Sequence, residues 1–370
     1  MTLSTRAQIV TRRTYNRPLN SEGTEFETWE QTVDRVISHQ KWLWERAKTH
    51  ATMPEVALRD VTPDMTQEWV RLSEKENKEL AELRELLLAK KVAVSGRTLW
   101  LGGTWVAQNR EASQFNCAFT NVETIYDLVD LFWLLLQGCG VGLRPVAGTL
   151  TGFRNYIPEL EIVRSHGSNV KGRETNLESW DSDTRTWTIS VGDSAEAWAK
   201  SIGKLVAGKY PAKKLVLDFS EIRKGGIRLK NYGWISQGDK GISTAYAKVF
   251  EILNAKADSL LSEIDILDIS NLLGTVLSTR RSAEIAVMDN YNPIVGEFAK
   301  AKIGMWDEGS GITHRAQSNN SIIFWDKPSK EVLMEYFQMI NNGGNGEPGL
   351  INGKAMKDRA PWAVGLNPCA

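Results

Sequence analysis

Ala363-Val364-Gly365-Leu366-Asn367-Pro368-Cys369-Ala370 closes the chain. Four small or apolar residues lead into an Asn-Pro pair, and a cysteine stands next to last. Asn-Pro starts turns, so the stretch reads as a tight loop with a thiol at its tip. A single cysteine in such a place is compatible with an incidental side chain as well as a reactive one. What comes before it decides between them.

Working back from that loop, the chain alternates. Gly349–Ile351 reads as a short strand behind the turn Asn341-Asn342-Gly343-Gly344-Asn345-Gly346. Pro328–Ile340 reads as a helix, Ser321–Trp325 as a strand, Pro293–Lys302 as a helix and Glu284–Met288 as a strand. Strand and helix in alternation imply an α/β layer architecture. A long helical stretch is expected over 243–277, preceded by a glycine-rich loop from Gly225 to Gly241 and a strand at Lys214–Phe219. Asp193 with Glu196 three residues on reads as a capping box, with Trp198, Ile202, Leu205 and Val206 on the helix that follows.

Further back, Phe115, Cys117 and Phe119 alternate with small or polar neighbours, the period of a strand. Cys117 then shares a face with the two phenylalanines. A core cysteine is one reading of it. The apolar run Val122–Gln137 carries Glu123, Asp127 and Asp130, is too short and too charged to span a bilayer, and reads as a buried helix. Gly138-Cys139-Gly140-Val141-Gly142 lacks the Walker lysine and reads as a tight structural turn, with Cys139 inert between glycines. The first hundred residues look helical. Phe26, Trp29, Val33 and Ile37 recur at helical spacing, and a second helix is expected from Thr62-Pro63, with Trp69, Leu72, Leu80, Leu83 and Leu87 as its stripe.

Composition is that of an ordinary globular protein, 42% hydrophobic and 24% charged. Forty-five basic and 45 acidic side chains balance, which argues against a bulk polyanion-binding surface and hence against direct DNA binding, though not against a local phosphate pocket. Three cysteines, at 117, 139 and 369, fit neither a disulfide framework nor a zinc site. A reducing cytoplasm is the expected home, since Met1–Arg6 has no apolar signal segment. His166 and His314 are isolated, so neither is read as a metal ligand.

Five further segments stand in a distinctive order before the terminal loop. They are Gln114-Phe115-Asn116-Cys117-Ala118-Phe119, Gly138–Gly142, Ser278-Thr279-Arg280-Arg281-Ser282-Ala283-Glu284-Ile285, Ser318-Asn319-Asn320-Ser321 and Gly346-Glu347-Pro348-Gly349-Leu350-Ile351-Asn352. With Asn367-Pro368-Cys369 they resemble the large subunit of ribonucleotide reductases, in particular the monomeric, adenosylcobalamin-dependent (class II) ribonucleoside-triphosphate reductases. The resemblance runs from Arg13 to the last residue.

It implies an N-terminal helical domain at 1–110, the start of a half-barrel at 111–142, an inserted α/β effector-type subdomain at 143–277, and the remainder of the half-barrel at 278–370. Together these would be the first half of a ten-stranded α/β barrel. The long span from Gly142 to Arg280 is similar to the insertion that holds the allosteric deoxynucleotide in the monomeric enzymes; an ordinary second subdomain is the alternative.

The resemblance also implies the chemistry, reduction of a ribonucleotide to its 2′-deoxy form by a thiyl radical. Cys369 would be the radical site, Asn367 would orient the ribose, and Cys117 would reduce it from the other face and finish in a disulfide. Ser318, Asn319 and Asn320 would lie near the substrate, in direct contact or as structural hydrogen-bonding residues. Arg280 and Arg281 would bind phosphate or form solvated ion pairs. Glu347 is expected to fix its own turn.

The implied cofactor is adenosylcobalamin. The implied partners are a ribonucleoside triphosphate, a deoxynucleotide effector and a thioredoxin-like reductant. The family's glutamate after the radical cysteine, its second redox cysteine and its C-terminal cysteine pair have no counterpart here. The chain is therefore expected to be inactive alone and to need a second polypeptide carrying the other half-barrel. A non-catalytic remnant that still binds nucleotides is the alternative.

Overall fold

The computed structural model describes residues 4–20, 22–65, 69–229, 232, 234–277 and 284–368. Two compact units emerge. The first comprises Met1–Phe115 with Arg228–Trp234, and the second comprises Asn116–Ile227 with Ile235–Ala370.

The first unit is helical: α1 (Thr5–Thr14), α2 (Trp29–Ala51), α3 (Glu74–Leu88), α4 (Gly96–Leu101) and α5 (Trp105–Asn109). Thr28 and Gln31 form a capping box at the start of α2, and Ser73 and Glu76 form another on α3. The second box corrects the expectation of a helix from Thr62-Pro63. Pro63–Met65 is only a short 3₁₀ turn, and Trp69 and Leu72 are buried ahead of α3. Val33, Val36, Leu80 and Leu87 close the α2–α3 seam, and the Trp29 indole donates to the Leu87 carbonyl over 3.1 Å.

The second unit contains two larger sheets. One is a five-stranded sheet of order β1-β2-β9-β10-β11, every pair parallel. Its members are β1 (Cys117–Val122), β2 (Gly140–Pro145), β9 (Glu284–Asp289), β10 (Ser318–Phe324) and β11 (Gly349–Asn352). The helix α6 (Ile125–Leu136) connects β1 to β2. Thr124 and Asp127 cap it, and Leu128, Leu131, Phe132 and Leu135 are fully buried.

The other sheet runs β3 (Glu159–Val163), β6 (Lys214–Asp218), β5 (Thr186–Ser190), β4 (Leu177–Asp181), with only the β4–β5 pair antiparallel. Its central strands carry alternating buried residues, Trp187 and Ile189 on β5 and Leu215 and Leu217 on β6. The helices α7 (Ala195–Ala207) and α8 (Lys240–Ala255) follow, and the Tyr246 hydroxyl lies 2.7 Å from Ser201 Oγ between them. Two-residue strands β7 (Arg228–Leu229) and β8 (Trp234–Ile235) form a short ribbon. The helices α9 (Glu263–Thr275), α10 (Val295–Lys300), α11 (Lys330–Gly343) and α12 (Gly353–Arg359) complete the chain.

Three other expectations are corrected. Residues 138–142 are not all turn. Gly138 turns with φ of +79°, but Gly140 already begins the buried strand β2. The helical stretch over 243–277 is two helices, divided where Asp258 takes φ of +57° and where Ser262 and Asp265 box the start of α9. The cap of α7 is Ser194, not Asp193. Asp193 is buried instead, accepting from the Arg223 guanidinium at 2.7 Å and from the Gly172 amide at 3.1 Å. Among the described residues no helix is long and apolar enough to cross a membrane.

Candidate functional site

Parallel pairing aligns the strands of the five-stranded sheet in rows. Phe119, Gly142, Ile285 and Asn319 are register partners in one row, and Ala118, Val141, Glu284 and Ser318 in the row before. Successive side chains point to opposite faces. Val141, Leu143, Glu284, Ala286, Ser318 and Asn320 belong to the face that is buried. Cys117, Phe119, Ile285 and Asn319 belong to the other face, where they remain half-buried or exposed.

The C-terminal segment lies on this second face. The Leu366 carbonyl oxygen approaches Gly142 so closely that a Cβ there would be 2.0 Å from it, and a Cβ on Gly365 would be 2.1 Å from the Phe119 ring. Two glycines are thus required where strand and loop meet. Arg144 anchors the same segment, donating to the Val364 carbonyl and pairing with Asp289 at 3.1 Å. Asn367 and Pro368, half-buried, follow directly. Cys117 stands on this face two residues before Phe119, at the first position of β1.

Cys117 is disulfide-bonded. Cys139 is buried and stands outside any disulfide. Cys369, Arg280 and Arg281 lie outside the described residues.

The Ser-Asn-Asn triplet divides between the faces. Ser318 and Asn320 are buried and joined, with the Ser318 hydroxyl 2.9 Å from Asn320 Oδ1 and 3.2 Å from Asn271 Oδ1. Asn319 between them is exposed. Glu347 fastens its turn to this strand, accepting from the Asn320 amide at 2.9 Å and from Lys302 Nζ at 2.8 Å. Lys302 also donates to the Ser318 carbonyl. Burial pushes the Lys302 ammonium down from its ordinary pKa, against the opposing pull of Glu347.

Sequence reasoning missed Arg144, Asn271, Lys302 and the buried Glu284. Each is defined by a partner far along the chain, and only Glu284 carried a local signal, a carboxylate opening an otherwise apolar strand. His314 is buried against Asp268 at 2.9 Å, beside the Arg315–Asp268 pair at 2.6 Å. Among the described residues no group of His, Cys, Asp and Glu could hold a metal ion.

No family model matches the chain. It is similar to curated proteins named adenosylcobalamin-dependent ribonucleoside-triphosphate reductase. The one from Lactobacillus gasseri is 26% identical, over 93% of this chain and 48% of the relative. The one from Lactobacillus acidophilus is 25% identical, over 98% of this chain and 52% of the relative. A solved structure described as a B12-dependent (class II) ribonucleotide reductase superposes with a TM-score of 0.67 at 25% identity, covering 93% of this chain and 49% of that one. The chain spans about half the length of the curated relatives it matches.

Proposed function

We propose that this chain, a homologue of the adenosylcobalamin-dependent (class II) ribonucleotide reductases over nearly its whole length, supplies the half of a reductase barrel that carries the radical-cysteine loop. The observation that carries the reading is the seat of residues 363–366 on the sheet face that also bears Cys117. That seating leaves Asn367 and Pro368 half-buried directly after it, which supports reading the Asn-Pro-Cys loop as the partner of Cys117 in the reaction.

In this reading Cys369, as a thiyl, takes the hydrogen from the ribose 3′ carbon: an S–H bond forms and a C–H bond breaks. Departure of the 2′-hydroxyl is then eased by the neighbouring radical. Cys117, as a thiol, protonates the departing 2′-hydroxyl, which leaves as water. It and a second thiol then supply the two electrons and the hydrogen of the new C2′–H bond and end joined as a disulfide. Cys369 returns its hydrogen to the 3′ carbon and is again a thiyl. The Cys117 disulfide must therefore be reduced before turnover, by a thioredoxin-type reductant. Asn367 orients the ribose and Asn319 faces it from β10. Arg280 and Arg281 are assigned to phosphate.

Adenosylcobalamin, on which the relatives depend, supplies the initiating radical when bound. The face over β1 and β2 does not fit it, because residues 363–366 already fill that ground. No residue here is assigned to hold it.

We read 1–110 as the helical domain, 111–142 and 278–370 as the half-barrel, and 143–277 as the effector-type insertion, holding a deoxynucleotide. The substrate would be a ribonucleoside triphosphate and the setting cytoplasmic. The remaining half-barrel would come from further polypeptide.

The test is complementation. The chain is mixed with the other half-barrel of a class II reductase, adenosylcobalamin, a dithiol reductant and a ribonucleoside triphosphate, and deoxynucleotide is measured by chromatography. Turnover is expected only in the complete mixture, and Cys369→Ser should abolish it. Effector binding without turnover by the reassembled wild-type protein would overturn the catalytic reading and leave a nucleotide-binding remnant.

A further inference from the structure

The buried face of the five-stranded sheet contains a polar relay that the reaction does not use. Glu284, first residue of β9, is 2% exposed, and its Oε2 accepts from Asn271 Nδ2 of α9 at 2.8 Å. Asn271 Oδ1 in turn faces the Ser318 hydroxyl at 3.2 Å, and Ser318 reaches Asn320 at 2.9 Å. Ser318 is also the register partner of Glu284 across the β9–β10 ladder. Gly274, one turn beyond Asn271, leaves room for the carboxyl; a Cβ there would be 2.7 Å from Glu284 Oε1. Among the described residues that oxygen has no hydrogen-bond partner.

We propose that Glu284 is a positioning residue: through Asn271 and Ser318 it fixes the start of β10 and thereby presents Asn319 on the opposite, substrate-facing side. This rests on the reading of that face as the substrate site. The geometry explains why a carboxyl is tolerated in an apolar strand. Among the described residues its partner is a neutral amide, and burial in this setting favours the uncharged acid.

The charged groups on neighbouring elements are engaged with one another. Asp268 of α9 pairs with His314 and Arg315, and Lys302 pairs with Glu347. Arg280 and Arg281, nearby in sequence, lie outside the described residues. Burial, opposed by the Asn271 hydrogen bond, pushes the Glu284 carboxyl up to about 8. The Asn271 amide donates to the carboxyl whether or not it is protonated, and burial makes the ionised form the costlier one to keep in this place.

The test uses the chain itself and reads hydrogen exchange at the amides of residues 318–321, relative to β6 as an internal reference. Glu284→Ala is expected to accelerate exchange there about tenfold or more, while Glu284→Gln stays at the wild-type level at pH 6. Raising the pH from 6 to 9 should speed relative exchange in wild type and leave Glu284→Gln unchanged.

If Glu284→Ala fails to fold, the comparison of Glu with Gln across pH decides alone. Equal behaviour of wild type and Gln at both ends of the range overturns the proposal, as does an Ala variant that folds with unaltered exchange. In the reassembled enzyme Glu284→Ala should raise KM more than it lowers kcat, with Gln restoring both. Absence of turnover by wild type would count against the reductase reading and leave the exchange result standing.

Discussion

The carbonyl oxygen of Leu366 rests on the α-carbon of Gly142, at a distance that no side chain at that position permits. Gly142→Ala is therefore expected to lift the C-terminal segment off the sheet, because the atom met is backbone and cannot swing aside. The cost should be about 1–3 kcal/mol, typical of overpacking a filled site. Protease accessibility of residues 360–368 is the direct measurement. Unchanged cleavage would contradict the seating.

Replacement of Glu284 by Gln makes a prediction about stability as well as position. A carboxyl whose pKa rises from the ordinary range to about 8 on folding binds its proton more tightly in the native state than in the unfolded one. Stability then falls as pH rises from the unfolded value towards the folded one, and the loss is complete above it. Glu284→Gln should match wild type near pH 4.5 and become progressively more stable than wild type up to pH 8–9. Thermal melts across that range check the sign; parallel curves would refute it.

Asp193 and Arg223 form a buried ion pair in the second unit, with side chains 7% and 11% exposed. Asp193→Asn leaves the guanidinium buried without a counter-charge, and about 3 kcal/mol or more should be lost. Denaturant titration measures it. A loss below about 1 kcal/mol would mean that the guanidinium finds water.

Tyr246 is fully buried with its hydroxyl between Ser201 Oγ at 2.7 Å and the Trp198 carbonyl at 3.1 Å. Burial, opposed by the Ser201 hydrogen bond, raises its pKa beyond the usual tyrosine range. Tyr246→Phe should cost about 1–2 kcal/mol, and ultraviolet titration of the wild type should show one tyrosine that resists ionisation until the chain unfolds.

The parts of the fold that read well from sequence are those with a local cause. Strands β6 and β9 announce themselves as apolar runs, and α6 by a long apolar stretch between an acidic start and a glycine end. The terminal loop and the triplet at 318–320 were legible through their order along the chain. The failures have physical reasons. Gly138–Gly142 reads as a turn because glycine ordinarily weakens strands; in β2 the missing side chain at Gly142 admits another backbone. Asp193 reads as a cap because an acidic residue before a helix fits that role, and its distant partner Arg223 is invisible to a local pattern. The division of Ser318 and Asn320 from Asn319 follows only from knowing that β10 starts at Ser318, three residues before the expected start at Ser321. Arg144, Asn271 and Lys302 gave no warning, since each is identified only by a partner far along the chain.

The pairing of β2 with β9 has a kinetic side. These neighbours in the middle of the sheet are separated by all of residues 146–283, a span that contains a complete four-stranded sheet with its own helices. Closing so long a loop is entropically costly until its interior has collapsed. Pairing of β2 with β9 is therefore expected late, after the inserted sheet has condensed and drawn the two halves of the outer sheet together. A change that slows condensation of β3 to β6 should then delay completion of the surface on which Gly365 and Leu366 rest.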